Sequence, residues 1–361
     1  MDIIHTESKQ SLSLFQFLNT MKKKYPFIVS IFYTAIFIAF LKIAVGYYFV
    51  EKGRDIGKAE AWLRYVYYVK EHLAREQLNI PASKIIIVAG SGSLFGVDNT
   101  ILSQITQRPV INMATHAGLS FDYHMGKVIP FVKTGDIVVM PLEFTYYSED
   151  LTKSKWMQFN MLSWDKGYAR KMPLSKQLLW IWWSPEIFVR NQIRNLIKPK
   201  KYRLMTEDET ISKWEIEVSS ATTKASEYSF KLLRADGTFQ PPEMSTYKGM
   251  PNYIASISPT SIDEISFYAK MIGAKGAQVV LTCPAFIDVE KSPEDKIKMQ
   301  IRLLDLKTRL AANGLNLHGE FVDVCLPRTS FSDNEYHLTT AGQRHWSATL
   351  GRIINNVTDA K

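Results

Sequence analysis

Cysteine is almost missing from this chain. Two cysteines in 361 residues cannot build a disulfide framework, and the spacing from Cys283 to Cys325 matches no zinc motif. The pair reads either as one extracytoplasmic disulfide or as two buried thiols. No Gly-Lys-Ser/Thr ends a glycine loop and no Gly-x-Gly-x-x-Gly occurs, which removes the phosphate-cradling loops from the candidates. Glycine (18) and proline (15) are too sparse for a fibrous chain, and 46% hydrophobic with 22% charged residues is too ordinary for a disordered one. Acidic residues are the scarcer sign, 35 against 44 Lys and Arg, for a formal charge of +9. Such a balance suits nucleic acid or an anionic membrane surface. At roughly 100–200 residues per domain, the length fits two domains or one large α/β domain with additions.

Long apolar runs are equally scarce, with one exception. Residues 27–50, FIVSIFYTAIFIAFLKIAVGYYFV, carry a single charge at Lys42. About 20 apolar residues cross a hydrocarbon core, so the segment is long enough to span. Lys22, Lys23 and Lys24 precede it, which places the tail 1–26 inside by the positive-inside rule, and Tyr47 and Tyr48 fit the outer aromatic belt. A buried core helix or a cleaved signal peptide would share the pattern, and Ala44-Val45-Gly46 is a passable cleavage site. A leader of 26 residues is long for a signal peptide, so the expectation is an uncleaved single-pass anchor in the cytoplasmic membrane, with the C-terminal domain extracytoplasmic. Lys42 would snorkel outward or meet a partner membrane protein. That topology makes nucleic-acid binding improbable, and the positive balance then suits membrane lipids or an anionic envelope polymer.

Beyond the span, residues 51–83 hold a juxtamembrane amphipathic helix, read from Trp62, Val66, Val69 and Leu73. Ile85-Ile86-Ile87-Val88 is a continuous apolar run of the kind buried on both faces of a parallel sheet. Further strands are expected at 109–113, 137–140, 278–283 and 320–324, with helices at 261–272, 293–312 and 340–355. Alternation of this kind indicates an α/β fold with a doubly wound, mostly parallel five-stranded sheet in 84–149 and 256–361. Residues 150–255 interrupt it as a cap insertion, and five of the eight tryptophans fall between Trp156 and Trp183. The aromatics of this cap either dip into a membrane interface or pack on their own domain.

Two segments carry chemistry. The first strand runs into Ala89-Gly90-Ser91-Gly92-Ser93, where a serine on a glycine-flanked turn exposes its hydroxyl beside backbone N–H groups. Before the last helix stands Ser332-Asp333-Asn334-Glu335-Tyr336-His337-Leu338, an acid and an imidazole four residues apart. An aspartate that fixes one imidazole nitrogen leaves the other to take a proton from a hydroxyl nucleophile. His116, Asp122 and His124 fit no compact ligand set and read as polar loop residues, so no metal is expected.

The order of these segments resembles the SGNH (GDSL-like) hydrolase superfamily, with its flavodoxin-like sheet. Within that superfamily the chain looks like the membrane-anchored, DltD-like and polysaccharide O-acetylation branch that works with membrane-bound O-acyltransferases. The resemblance covers about 85–145 and 260–355. It implies Ser91 as nucleophile, with Ser93 as the other register, and His337 with Asp333 as general base and orienting acid. The acid and base match the variant with one extra residue between them; the tighter spacing would put Asn334 in the acid position. Asn112 to Gly118 resembles the glycine block, implying an oxyanion N–H from Gly118 beside Asn112. Where the family has an asparagine after the third strand, this chain has Glu143. An ionised carboxylate cannot donate a hydrogen bond. Glu143 is therefore protonated, or binds a substrate hydroxyl or amine, or marks a site unlike an ordinary esterase.

The implied function is an extracytoplasmic serine O-acyltransferase or acylesterase without a cofactor, acting on an envelope polysaccharide or teichoic-acid-like polymer beside an integral membrane O-acyltransferase. The alternative is a catalytically impaired, membrane-tethered scaffold subunit of such an acylation complex.

Overall fold

In a computed structural model of the chain, the described residues are 24–52, 60–80, 82–148, 150–183, 186–197, 203–220, 228–241, 243–244, 246, 256–288 and 293–359. Lys22, Lys23, Pro185 and about a third of the second half of the expected cap lie outside them. Helices are α1 (Pro26–Lys52), α2 (Trp62–Glu76), α3 (Ser91–Gly96), α4 (Asn99–Thr106), α5 (Phe121–Val128), α6 (Lys155–Trp164), α7 (Leu174–Trp183), α8 (Glu186–Ile197), α9 (Glu207–Ser220), α10 (Pro259–Ala274), α11 (Pro293–Ala312) and α12 (Thr340–Thr358). Strands are β1 (Ile85–Ile87), β2 (Val110–Asn112), β3 (Ile137–Pro141), β4 (Gln278–Thr282), β5 (Phe286–Ile287), β6 (Leu317–His318) and β7 (Cys325–Leu326).

The chain forms two compact units, and the stretch 150–255 is divided between them. One comprises residues 1–54 and 169–199, the other 55–168 and 200–361. In the first unit α1 holds an apolar stretch, Pro26–Tyr48, long enough to cross a membrane. Helices α7 and α8 pack on α1. Ile181 fills the space beside Gly46, where a Cβ would approach its Cγ2 to 2.3 Å. Lys42 stands over the Trp182 ring of its own chain, with Nζ 4.6 Å from the centroid.

The second unit is built on a fully parallel sheet in the order β2-β1-β3-β4-β6. Ile85, Ile86 and Ile87 are all buried, and β1 is an interior strand, pairing with Val110–Asn112 on one edge and Ile137–Val139 on the other. The strand order reverses at β1, so a crevice is expected outside its carboxyl end. A separate pair, β5 and β7, lies outside this sheet. Cys283 and Cys325 are not joined by a disulfide, and burial pushes the Cys283 thiol up to about 12.

The expected fifth strand is displaced. The apolar run at 321–324 forms a single helical turn, and the fifth strand is Leu317–His318. Gly319, at φ +88°, turns the chain out of the strand. Glu320 and Asp323 then bond reciprocally as a capping box, which favours a helical start over an extended run.

At the opposite end of the sheet from the serine turn, Lys84 Nζ and Asp136 Oδ2 form a buried ion pair at 2.6 Å. Asp136 also accepts the N–H groups of Lys84 and Lys133. Removing one partner strands a buried charge, so Asp136→Ala is expected to cost about 3–5 kcal/mol in urea unfolding. Replacing both partners with apolar residues should recover most of that loss; a single variant as stable as the parent would show that the pair is not buried in solution.

Candidate functional site

Three strand ends and one C-terminal loop meet above the sheet. The turn after β1 carries Ser91 at the start of α3, preceded by Gly90. A Cβ on Gly90 would come within 2.5–2.6 Å of the Ala117 backbone, so only glycine lets the loop after β2 run this close to the nucleophile turn. Thr115 N–H, bonded to Ala89 C=O at 3.2 Å, ties the same two segments. Ser91 is 8% exposed and its hydroxyl has no hydrogen-bond partner among the described residues. Ser93 is 1% exposed, and its hydroxyl is turned into the interior without a partner among the described residues.

The acid and base come from a loop closed at its neck. Phe331 and Leu338, both fully buried, form an antiparallel bridge. Inside it, the Asn334 side chain accepts the N–H groups of Tyr336 and His337 at 2.8 and 2.9 Å, an Asx turn that bends the chain. Asn334 thus shapes the loop, and Asp333 faces the imidazole: Oδ1 lies 2.9 Å from His337 Nδ1. A carboxylate can only accept, so Nδ1 carries the proton and Nε2 is left as the basic nitrogen. Tyr228 donates its hydroxyl to Asp333 Oδ2 and lies 3.3 Å from Nδ1. Burial pushes the Asp333 carboxyl up, but the bonds from His337 and Tyr228 prevail and hold it below the ordinary carboxylate range. Burial, and then the Asp333 charge, raise the Tyr228 phenol.

Phe95 links base and nucleophile. Its ring stacks on His337 with centroids 4.0 Å apart and planes 22° from parallel. Ser91 and Phe95 are four residues apart on α3, hence on one face. Gln343 of α12 donates to Phe95 C=O and Phe239 C=O, both at 3.0 Å, fixing the far end of that turn. Ser91 and His337 are thereby brought to the same side of α3, without a direct hydrogen bond between them.

The oxyanion groups are arranged differently from the expectation. Glu143, fully buried at the end of β3, accepts Gly90 N–H at 2.9 Å on Oε2 and Gly92 N–H at 2.6 Å on Oε1. Both its oxygens therefore brace the Ser91 turn. Burial pushes its carboxyl up, against the pull of these N–H groups. Gly118 donates its N–H to His116 Nδ1 at 2.9 Å, so the His116 proton sits on Nε2. The His116 ring stacks on Trp156 at 4.4 Å, and no described residue bonds Nε2. Burial and the nearby His337 lower His116 to about 4, which keeps it neutral. Asn112 is buried and internally paired: its side chain donates to Ser93 C=O and accepts Ala114 N–H, both at 3.0 Å.

Two polar features lie beneath the site: Lys70, which the sequence does not single out, and His124, which with Asp122 lies on helix α5 and not in the expected polar loop. Lys70 of α2 is buried and donates from Nζ to the carbonyls of Asn112 and Ala114, both at 2.7 Å; burial holds it well below the ordinary lysine range. The signal was present, because Lys70 lies in the Val66–Leu73 stripe of an otherwise apolar face. His124 is bonded on both nitrogens, at 2.8 Å each, to Tyr67 and Tyr146. Thr115 donates to Tyr67, which then donates to Nδ1 and leaves Nε2–H for Tyr146.

Burial lowers His124 to about 3, against an ordinary value of 6.5. The unfolded chain therefore binds more protons between those values, so stability is full above about pH 6.5 and declines as pH falls through the window. Between about pH 7 and about pH 5 the expected loss from His124 is about 2 kcal/mol. Urea unfolding at the two pH values measures it, and His124→Phe should flatten the slope even if it lowers stability at pH 7.

A groove of about 880 Å³ runs between α10, α12 and the β4/β6 edge, past Lys270, His318 and Asp323. It does not include the serine turn. The chain matches no protein-family model, and no curated protein matches it.

Proposed function

We propose that the chain is an SGNH-type serine acyltransferase or acylesterase, anchored by α1 and acting on a cell-envelope polymer. The observation that carries this reading is the His337–Asp333 contact of 2.9 Å, stacked on Phe95 one turn from Ser91. Sheet order and the position of Ser91 after β1, where the strand order reverses, support the reading by the superfamily resemblance.

In the proposed reaction Ser91 Oγ attacks an ester or thioester carbonyl carbon while its proton passes to His337 Nε2. Asp333 holds the resulting imidazolium, and Tyr228 holds Asp333. Collapse of the tetrahedral intermediate breaks the bond to the leaving group, which takes the proton from His337. A polymer hydroxyl, or water, then gives its proton to His337 and attacks the acyl-serine; collapse breaks the acyl–Oγ bond, and His337 returns the proton to Ser91 Oγ. The negative charge on the intermediate is met by the Ser91 N–H and by neutral His116 through Nε2–H, because Gly118 N–H is already spent on His116. The acyl donor on this reading is a membrane-bound O-acyltransferase or another integral membrane partner, and the acceptor is a polysaccharide or teichoic-acid-like chain.

A scaffold role is the second reading, favoured by the carboxylate of Glu143 standing where a donor is needed and by the missing Ser91–His337 hydrogen bond. Labelling of the full chain with a fluorophosphonate separates the two. Labelling that depends on Ser91 supports the enzyme; a wild-type chain inert to the probe supports the scaffold.

A further inference from the structure

Helices α7 and α8 carry apolar side chains that stand exposed among the described residues. Leu174, Leu179 and Trp183 on α7, and Ile193, Leu196 and Ile197 on α8, are all exposed, Leu179 by 52% and Leu196 by 63%. On α8 the three fall at i, i+3 and i+4, a single face, with Arg190 and Arg194 one turn apart beside it. Across 169–199 the sequence has six basic residues, Arg170, Lys171, Lys176, Arg190, Arg194 and Lys198, against one acidic residue, Glu186.

The level of α7 on α1 is fixed by two contacts. Ile181 packs at Gly46, and Trp182 lies over Lys42. Lys42 is six residues before Tyr48, where the apolar stretch ends. At about 1.5 Å per residue, the two α1 positions that α7 meets, Gly46 and Lys42, lie about 3 and 9 Å inside the end of the span. Amphipathic helices in a bilayer interface bury their apolar faces by about 5–10 Å. Depth, apolar face and positive charge therefore all fit an anionic lipid surface continuous with the lipid around α1.

We propose that α7 and α8 form a bilayer-embedded pair of helices beside the span, with their exposed apolar side chains in the acyl boundary and their basic residues on anionic headgroups. The proposal rests on α1 being a membrane span, and the test separates the two. The full chain, with Cys283 and Cys325 replaced by alanine, is spin-labelled singly at Phe37→Cys, Leu179→Cys, Leu196→Cys or Ile216→Cys. It is reconstituted in vesicles of phosphatidylethanolamine with phosphatidylglycerol, or of phosphatidylcholine alone. Accessibility to oxygen and to a water-soluble nickel chelate is then read at each label.

In the anionic vesicles, labels at 37, 179 and 196 should be open to oxygen and closed to the chelate, with the exposed α9 position 216 the reverse. Arg190→Glu combined with Arg194→Glu should return the label at 196 to the chelate, and so should neutral lipid, while 37 stays in the acyl core. A label at 37 open to the chelate overturns the span itself. With 37 in lipid, chelate-open labels at 179 and 196 overturn the embedding of α7 and α8 alone. Labels at 179 and 196 closed to both reagents show a protein partner there instead, and also overturn it. Indifference of 196 to lipid charge and to the double charge reversal overturns the anionic-headgroup part.

Discussion

Ser91→Ala is expected to reduce fluorophosphonate labelling to background while shifting the unfolding free energy by no more than about 1 kcal/mol. The hydroxyl has no hydrogen-bond partner among the described residues, so its removal leaves no buried group stranded. Loss of a nucleophile removes the chemical step outright, an effect on the order of 10⁶ in a serine protease. Ser93→Ala should leave labelling intact, because that hydroxyl is enclosed. Labelling that survives Ser91→Ala and disappears in Ser93→Ala would mean that the register of the turn is wrong. Labelling that survives both would place the reactive group elsewhere.

The second large effect is expected at Glu143. In Glu143→Gln at least one of the Gly90 and Gly92 N–H groups must face an amide NH₂ in place of an oxygen. A buried donor without an acceptor costs about 1–3 kcal/mol, so urea unfolding should fall by that amount, and further for Glu143→Ala, which empties the space as well. Labelling kinetics separate two roles of the carboxylate. If it only braces the turn, E143Q labels more slowly in proportion to the loosened Ser91. If its charge opposes the oxyanion, E143Q labels faster than wild type despite lower stability. Unchanged stability would show that the two N–H groups are satisfied in another way.

The sheet is legible in the sequence wherever burial on both faces writes an uninterrupted apolar run, as at Ile85–Ile87 and Ile137–Pro141. It is illegible at Leu317–His318, where two residues leave no periodicity and the better run, 321–324, is claimed by a capping box. Ser91, Asp333 and His337 could be singled out because the turn and the spacing are local. Tyr228 and Phe95 could not: Tyr228 lies 105 residues from the Asp333 carboxylate it holds, and no local pattern announces a pairing at that range. Glu143 was visible as an anomaly, but its partners were not, since backbone N–H groups have no identity in a sequence. His116 was read as a loop polar residue, and only the Gly118 bond fixes its proton on Nε2.

The first unit is assembled from two stretches of chain that lie more than a hundred residues apart, 1–54 and 169–199. Trimming the N-terminus to obtain a detergent-free fragment beginning at residue 55 would therefore not yield a clean ectodomain. Residues 169–199 would remain in the fragment, and Ile181, now packed on Gly46, would lose its cover and join an already exposed apolar face. Such a fragment should self-associate. A well-behaved one requires a second cut, with a short polar linker in place of 169–199.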